Sequence, residues 1–339
     1  MDLPDPRPPD PSTIGYGVRL PNSGPFATAQ AMVTMARAAE RAGFDVVWVH
    51  DHIPWASPML THFSTGSIEA CDNQDPNFFE TVSSVAYLAG LCPGIDVGIA
   101  GLVLPLRDPR VLAKQLMTTQ VLSGGRLVTA LAIGNIPNDF EVMQVRFDRR
   151  GRITDDFLGA LHAIYAEGRS TYEGEGLQFH DAEFFPKPAP PRFWIAGNSP
   201  PAYRRIARWA TGWLPGGLSP AGYRDCLDQL DEVMTARGRG VTELHRGVEL
   251  YLCLAASHEE AVATAARSLE HRFSTVENGI ERNIIGGVDA VLSKIEAFRQ
   301  AGVTHFELRI LGHTLDSHLD MLERFRTDVL PHAAARAAL

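Results

Sequence analysis

Cysteine is scarce in this chain. The four cysteines among 339 residues, Cys71, Cys92, Cys226 and Cys253, form no CxxC pair and have no histidine at zinc spacing. They read as free thiols of a reducing compartment, although sequence leaves a distant disulfide open. Long apolar runs are missing as well. The most apolar stretch, Val97 to Leu106, is far shorter than the ~20 residues that span a bilayer. Met1 to Pro11 carries five prolines and four charges, which excludes a signal peptide's apolar segment and predicts an extended arm over residues 1–12. Basic runs are absent too. Lys plus Arg number 31 against 40 for Asp plus Glu, and the net charge of -9 repels nucleic acid and anionic membrane. The expectation is a cytoplasmic protein that works on neither.

Several chemistries are excluded by missing motifs. No GxGxxG follows the first strand, and there is no GxxxxGK[ST], no GxSxG and no HExxH. His50 and His52 form an HxH pair at a strand end, and alternation lets both imidazoles point one way. No carboxylate cluster completes a ligand set there, so no metal is expected.

What is present is an ordinary globular composition, 45% hydrophobic and 21% charged, with a repeating alternation of short apolar runs and helical periodicities. Strands are predicted at Ile14–Leu20, Val46–Val49, Asp96–Leu104, Arg126–Ile133, Phe193–Ala196, Gly212–Leu214, Val248–Ala255 and His305–Leu311. Helices follow near Met32–Ala39, Phe78–Leu91, Pro109–Leu122, Asp155–Glu167, Pro201–Ala210, Tyr223–Ala236, Glu259–Phe273 and Val288–Ala301, with a closing helix beyond Leu315. Asp108 before Pro109 is a helix entry, and Gly43 a stop. Eight buried-type strands, each followed by a helix, predict an α/β fold: a (β/α)8 TIM barrel with insertions at its C-terminal mouth. A doubly wound open sheet is the alternative. One domain is expected over residues 13–332, with an excursion at 171–191 built around Glu173-Gly174-Glu175-Gly176.

Barrels do their chemistry at the C-terminal ends of strands. Those ends read Pro21-Asn22-Ser23, Asp51-His52, Leu104-Pro105, Gly134-Asn135, Gly197-Asn198-Ser199, Pro215-Gly216-Gly217 and Leu311-Gly312-His313. Glycine there lets a backbone approach a flat or phosphorylated ligand. The Gly197-Asn198-Ser199 turn between a strand and a helix is either an anion site or a simple Ser199 cap.

These segments carry a resemblance. Ala38-Ala39-Glu40-Arg41-Ala42-Gly43-Phe44-Asp45, Trp48-Val49-His50-Asp51-His52, Val103-Leu104-Pro105-Leu106-Arg107-Asp108-Pro109, Leu112-Ala113-Lys114-Gln115, Val121-Leu122-Ser123-Gly124-Gly125-Arg126-Leu127, Trp194-Ile195-Ala196-Gly197-Asn198-Ser199 and Gly212-Trp213-Leu214-Pro215 occur in order along nearly the whole chain. The series resembles the bacterial-luciferase-like superfamily of flavin- and coenzyme F420-dependent oxidoreductases. The resemblance implies a flavin or deazaflavin ring in the barrel mouth, with its phosphate on the Gly197-Asn198-Ser199 turn. It implies a bulge at Ala100, Gly101 and Leu102 behind the ring, with a non-prolyl cis peptide expected between Gly101 and Leu102. It places His52 near the reactive part of the ring as the principal catalytic residue, with Asp51 orienting that imidazole or holding cofactor. Gly134 would lie beside the ring. Some F420 dehydrogenases carry a glutamate where this chain has Asn135, which can only orient by hydrogen bonding.

The stretch Arg19-Leu20-Pro21-Asn22-Ser23-Gly24-Pro25-Phe26-Ala27 resembles members assigned to F420. Arg146, Arg149, Arg150 and Arg152 would meet that cofactor's acidic tail or form a solvated face. The resemblance therefore implies an F420-dependent oxidoreductase acting on a small organic molecule. The alternatives are an FMN monooxygenase supplied by a separate reductase and a non-catalytic cofactor-binding protein. It also implies a homodimer. The substrate pocket is expected to be shaped by the loops at Trp55–Asn77 and Thr171–Pro191.

Overall fold

The computed structural model describes residues 14–53, 77–166 and 168–336. The arm expected at 1–12, the loop expected at 55–77 apart from Asn77, and Cys71 lie outside the described residues. Eight parallel strands form the barrel: β1 (Gly15–Arg19), β2 (Val46–Val49), β3 (Asp96–Val103), β4 (Leu127–Ala132), β5 (Arg192–Ala196), β6 (Gly212–Leu214), β7 (His245–Leu254) and β8 (His305–Ile310). Each pairs with its successor, and β8 closes the ring on β1 with Gly15 opposite His305. The closed barrel is thus the observed fold, and the open-sheet alternative is excluded. A further three-residue strand, Ile284–Gly286, lies beside β7; the sequence reading had no element there, because three apolar residues between helices carry no period.

Local signals place the helices. In α1 (Ala29–Ala42), Thr28 accepts a hydrogen bond from the Ala31 amide, and Met32, Met35, Ala36 and Ala39 are buried on one face. The helix stops at Gly43, whose φ of 82° is left-handed. The second helix, α2 (Thr81–Leu91), begins three residues later than expected. Glu80 caps it through the Val82 and Ser83 amides, while Phe78 forms a bridge with Ser23. In α3 (Pro109–Leu122), Asp108 accepts from the Arg110 amide and Pro109 occupies the first turn, as read from sequence. The excursion after the helix Arg150–Tyr165 is an antiparallel hairpin of Ser170–Glu173 and Gln178–Ala182.

The half of the barrel interior nearest the strand N-termini is packed solid. Trp48 and Trp194, with ring centroids 5.5 Å apart, meet His305 there. They fit because Gly98 and Gly212 oppose them; a Cβ at either would come within 2.3 or 2.4 Å of an indole atom. A cavity lined by residues in or just after β1 to β5, β7 and β8 lies at the opposite end. No helix among the described residues is long and apolar enough to cross a membrane.

Candidate active site

A cavity of about 250 Å³ opens at the C-terminal ends of the strands. His50, Asp51 and His52 reach it from the end of β2, Ala100, Gly101 and Val103 from β3, and Ala132 to Asn135 from β4. Ala196 and Gly197 border it after β5, and Arg19, Glu249 and Arg309 enter from β1, β7 and β8. Most of the residues singled out from sequence therefore meet in one place. Leu102 is fully buried in the core outside the cavity, and Asn198 is exposed beyond its rim.

The bulge is present, centred on Gly101. Pairing between β3 and β4 runs Ala100 with Ala130 and resumes at Leu102 with Leu131, leaving Gly101 as the extra residue. The non-prolyl cis peptide lies between Ala100 and Gly101, one bond earlier than expected. Leu102 resumes regular ladder pairing, so the irregularity ends before it. A side chain at Gly101 would meet Ala132 Cβ at 3.1 Å and narrow the cavity wall.

His52 and Asp51 have different partners. The imidazole Nδ1 of His52 lies 3.1 Å from Oδ2 of Asp139, which is buried near the start of α4 (Pro137–Val142). Asp51 instead receives two hydrogen bonds of 2.7 Å from Arg107, one of 2.9 Å from the Val103 amide and one of 3.0 Å from Thr81. The expectation that Asp51 orients His52 is corrected accordingly: neighbouring residues in extended chain point opposite ways. Asp51 ties the ends of β2 and β3 to the start of α2, and Asp139 holds the imidazole. Sequence gave no sign of that partner, which lies 87 positions from His52.

His50 is fixed from the first strand's end. Asn22 donates to its carbonyl and accepts from its amide, and Ser23 Oγ lies 3.0 Å from Nε2. Its Nδ1 has no hydrogen-bond partner among the described residues. Burial, reinforced by Arg19 and Arg309, holds its pKa well below the usual histidine range, so this ring is neutral. His50 and His52 thus serve different hydrogen bonds, and no metal-binding group of His, Cys, Asp or Glu occurs among the described residues.

A buried charge network forms the far wall, and the sequence reading missed it. Arg19 makes paired contacts of 2.8 and 2.9 Å with Glu307 and one of 3.0 Å with Glu249. Glu249 and Glu307 are register partners on β7 and β8. Burial, then the Glu249 charge, raises the Glu307 pKa. Burial would also raise Glu249, but the Arg19 and Arg309 guanidiniums outweigh it and hold Glu249 ionised. The signal was available: His305, Glu307 and Arg309 alternate with Phe306, Leu308 and Ile310 in a strand buried on both faces.

The Gly197-Asn198-Ser199 turn precedes α6 (Pro200–Trp209), the helix after β5. Gly197 has φ 108°, and its carbonyl accepts a 2.7 Å hydrogen bond from the Trp213 indole. Ser199 sits at the cap position, yet its hydroxyl makes no capping bond. Behind the turn, a small cavity of about 60 Å³ is lined by Gly197, Ser199, Thr154 and Arg205. Arg205 is held at 2.7 Å by Asp155 of α5 (Arg150–Tyr165) and donates to the Gly151 carbonyl. The arginines after β4 are largely engaged: Arg146 pairs with Asp148, and Arg149 and Arg152 both face Glu175 of the hairpin.

Comparison with known proteins bears on the fold and the family. The chain is 22% identical over 351 aligned residues to an F420-dependent glucose-6-phosphate dehydrogenase of Amycolatopsis mediterranei, covering 95% of this chain and 98% of the relative. Its fold matches an F420-dependent secondary alcohol dehydrogenase solved with an F420-acetone adduct, at TM-score 0.78, 15% identity and coverage of 95% and 99%. It also matches the oxygenating constituent of 3,6-diketocamphane monooxygenase from Pseudomonas putida in complex with FMN, at TM-score 0.72, 16% identity and coverage of 94% and 98%. The luciferase-like monooxygenase family model matches residues 11–284, and the chain belongs to that family.

Proposed function

We propose that this protein is an F420-dependent oxidoreductase that moves a hydride to or from a small organic substrate in the barrel mouth. The observation that carries this reading is His52, held by Asp139, sharing one cavity with the Gly101 bulge. The wall fits a flat ring, because Ala100, Gly101, Ala132, Gly134, Ala196 and Gly197 leave it without bulky side chains. When bound, the deazaflavin supplies a carbon that accepts or releases the hydride.

The chain's own residues supply the rest. In the oxidising direction an alcohol loses hydride from carbon and its hydroxyl proton to His52, leaving a carbonyl; reduction runs the same two transfers backwards. Asp139 fixes the imidazole's orientation through Nδ1, so Nε2 is the atom this role would use. Asn135 orients by hydrogen bonding and moves no proton. Amides of the Gly197-Asn198-Ser199 turn and the start of α6 would hold the cofactor phosphate, with Arg205 behind them.

A near-full-length sequence relative named for F420 supports the deazaflavin over FMN. The likeness to the FMN-containing oxygenating constituent favours a second reading, a flavin monooxygenase fed by a separate reductase. Mixing the purified protein with F420 and a panel of simple alcohols and hydroxy acids separates the readings. Substrate-dependent loss of oxidised deazaflavin absorbance is expected. Oxygen consumption only with reduced FMN would support the second reading, and binding without turnover would indicate a non-catalytic protein.

A further inference from the structure

The far wall of the cavity holds a guanidinium that the ion-pair network does not satisfy. Arg309 is 6% exposed and borders the cavity. No carboxylate among the described residues comes within 4.0 Å of it, because Glu249 and Glu307 are both taken by Arg19. Its one hydrogen bond is a long contact of 3.5 Å to the Tyr251 hydroxyl, and its Nε has no partner among the described residues. His50, 8% exposed on the same cavity, likewise has an unpartnered Nδ1. Arg19, Arg272 and Arg309 border the cavity together, with Glu249 and Asp51 its lining carboxylates.

A buried guanidinium with unfilled hydrogen-bond donors is costly, and a planar oxyanion matches its fork of donors. We propose that Arg309, with His50 lining the same cavity, receives an anionic oxygen group of the substrate, so that this enzyme's substrates are small organic carboxylates. This names the substrate class of the site and rests on reading the barrel mouth as the substrate cavity. The geometry explains the selectivity: Arg19 holds both glutamates in direct contact, whereas Arg309 borders the cavity with its guanidinium donors unfilled by any carboxylate within 4.0 Å among the described residues. A neutral alcohol of the same shape would leave the guanidinium desolvated and unpaired, which disfavours it.

The test uses the full-length protein without cofactor, so that it does not depend on which cofactor binds. Lactate and pyruvate are titrated calorimetrically beside their uncharged counterparts, propane-1,2-diol and hydroxyacetone. One-to-one binding of the carboxylates is expected, tighter than the uncharged pair by roughly tenfold or more. Arg309→Gln should abolish that preference, and Arg309→Lys, which keeps a cation, should retain part of it. Equal affinity for charged and uncharged probes, or an unchanged preference in Arg309→Gln, overturns the proposal. Should Arg309→Gln fail to fold, the wild-type comparison and Arg309→Lys still decide. Inorganic phosphate and methanesulfonate form a second arm. Binding of either as tightly as lactate contradicts the carboxylate assignment, even where F420 turnover is observed. Conversely, carboxylate preference in a protein that binds no F420 leaves this inference standing and removes the cofactor reading.

Discussion

At the scale of single residues the account turns on His52. Its proton-transfer role predicts that His52→Ala lowers turnover by ~10²-fold or more, the usual contribution of a general acid–base group, with little change in cofactor affinity. Steady-state rates beside equilibrium cofactor binding check this, and near-normal turnover would return His52 to a packing role. Asp139→Asn should reduce kcat in the same direction by less, with KM little changed, because the imidazole keeps a hydrogen-bonding neighbour but loses its carboxylate. How far this site was legible follows from sequence distance. His52 could be found because His50-Asp51-His52 stands at a strand end in a matching order of segments. Asp139 could not, because only the folded β4–α4 connection brings it to the ring. Orienting the imidazole, one of the two roles read for Asp51, rests on adjacency alone, whereas its bonds to Arg107, Thr81 and the Val103 amide join the strand ends.

Among elements, the strand ends divide the work. The turn after β5 is proposed to hold phosphate, and Gly197 adopts a φ of 108° that a branched residue resists. Gly197→Val should therefore weaken cofactor binding while far-UV circular dichroism stays that of the wild type; unchanged affinity would move the phosphate elsewhere. All eight barrel strands were legible, since buried parallel strands are short apolar runs bounded by turns. The Glu80 cap was not, because Phe78 and Phe79 extend the apolar pattern ahead of the helix. The alternation of His305, Glu307 and Arg309 on β8 is a sequence feature that period-2 reading could have flagged as an inward polar stripe. It was obscured by treating the strand as uniformly buried.

Across the whole molecule, buried histidines and the buried Glu307 titrate in opposite senses. Burial lowers His305 to about 3, with His245 and Arg192 adding to the effect, and lowers His245 and His318 to about 4. Unfolded, these rings bind protons near 6.5. Their stabilisation is thus present above that pH and is lost as pH falls toward the folded values. Glu307, raised by burial, has the reverse sign: the folded state holds its proton longer, so its contribution declines as pH rises through the folded pKa. The histidines outnumber it, and stability should fall as pH is lowered from 7 to 5. Denaturant unfolding across that window should show His305→Gln flattening the slope by up to about 1.4 kcal/mol per pH unit, the limit of one proton, approached below the unfolded value near 6.5, whatever its effect at pH 7. An unchanged slope would mean that His305 titrates alike in both states. The cofactor assignment is the claim on which the functional account depends. The most direct measurement titrates the purified protein separately with F420 and with FMN, following cofactor fluorescence. The account predicts saturable F420 binding that is tighter than FMN binding and is weakened by Gly197→Val. Tight FMN binding with no measurable F420 binding would contradict it.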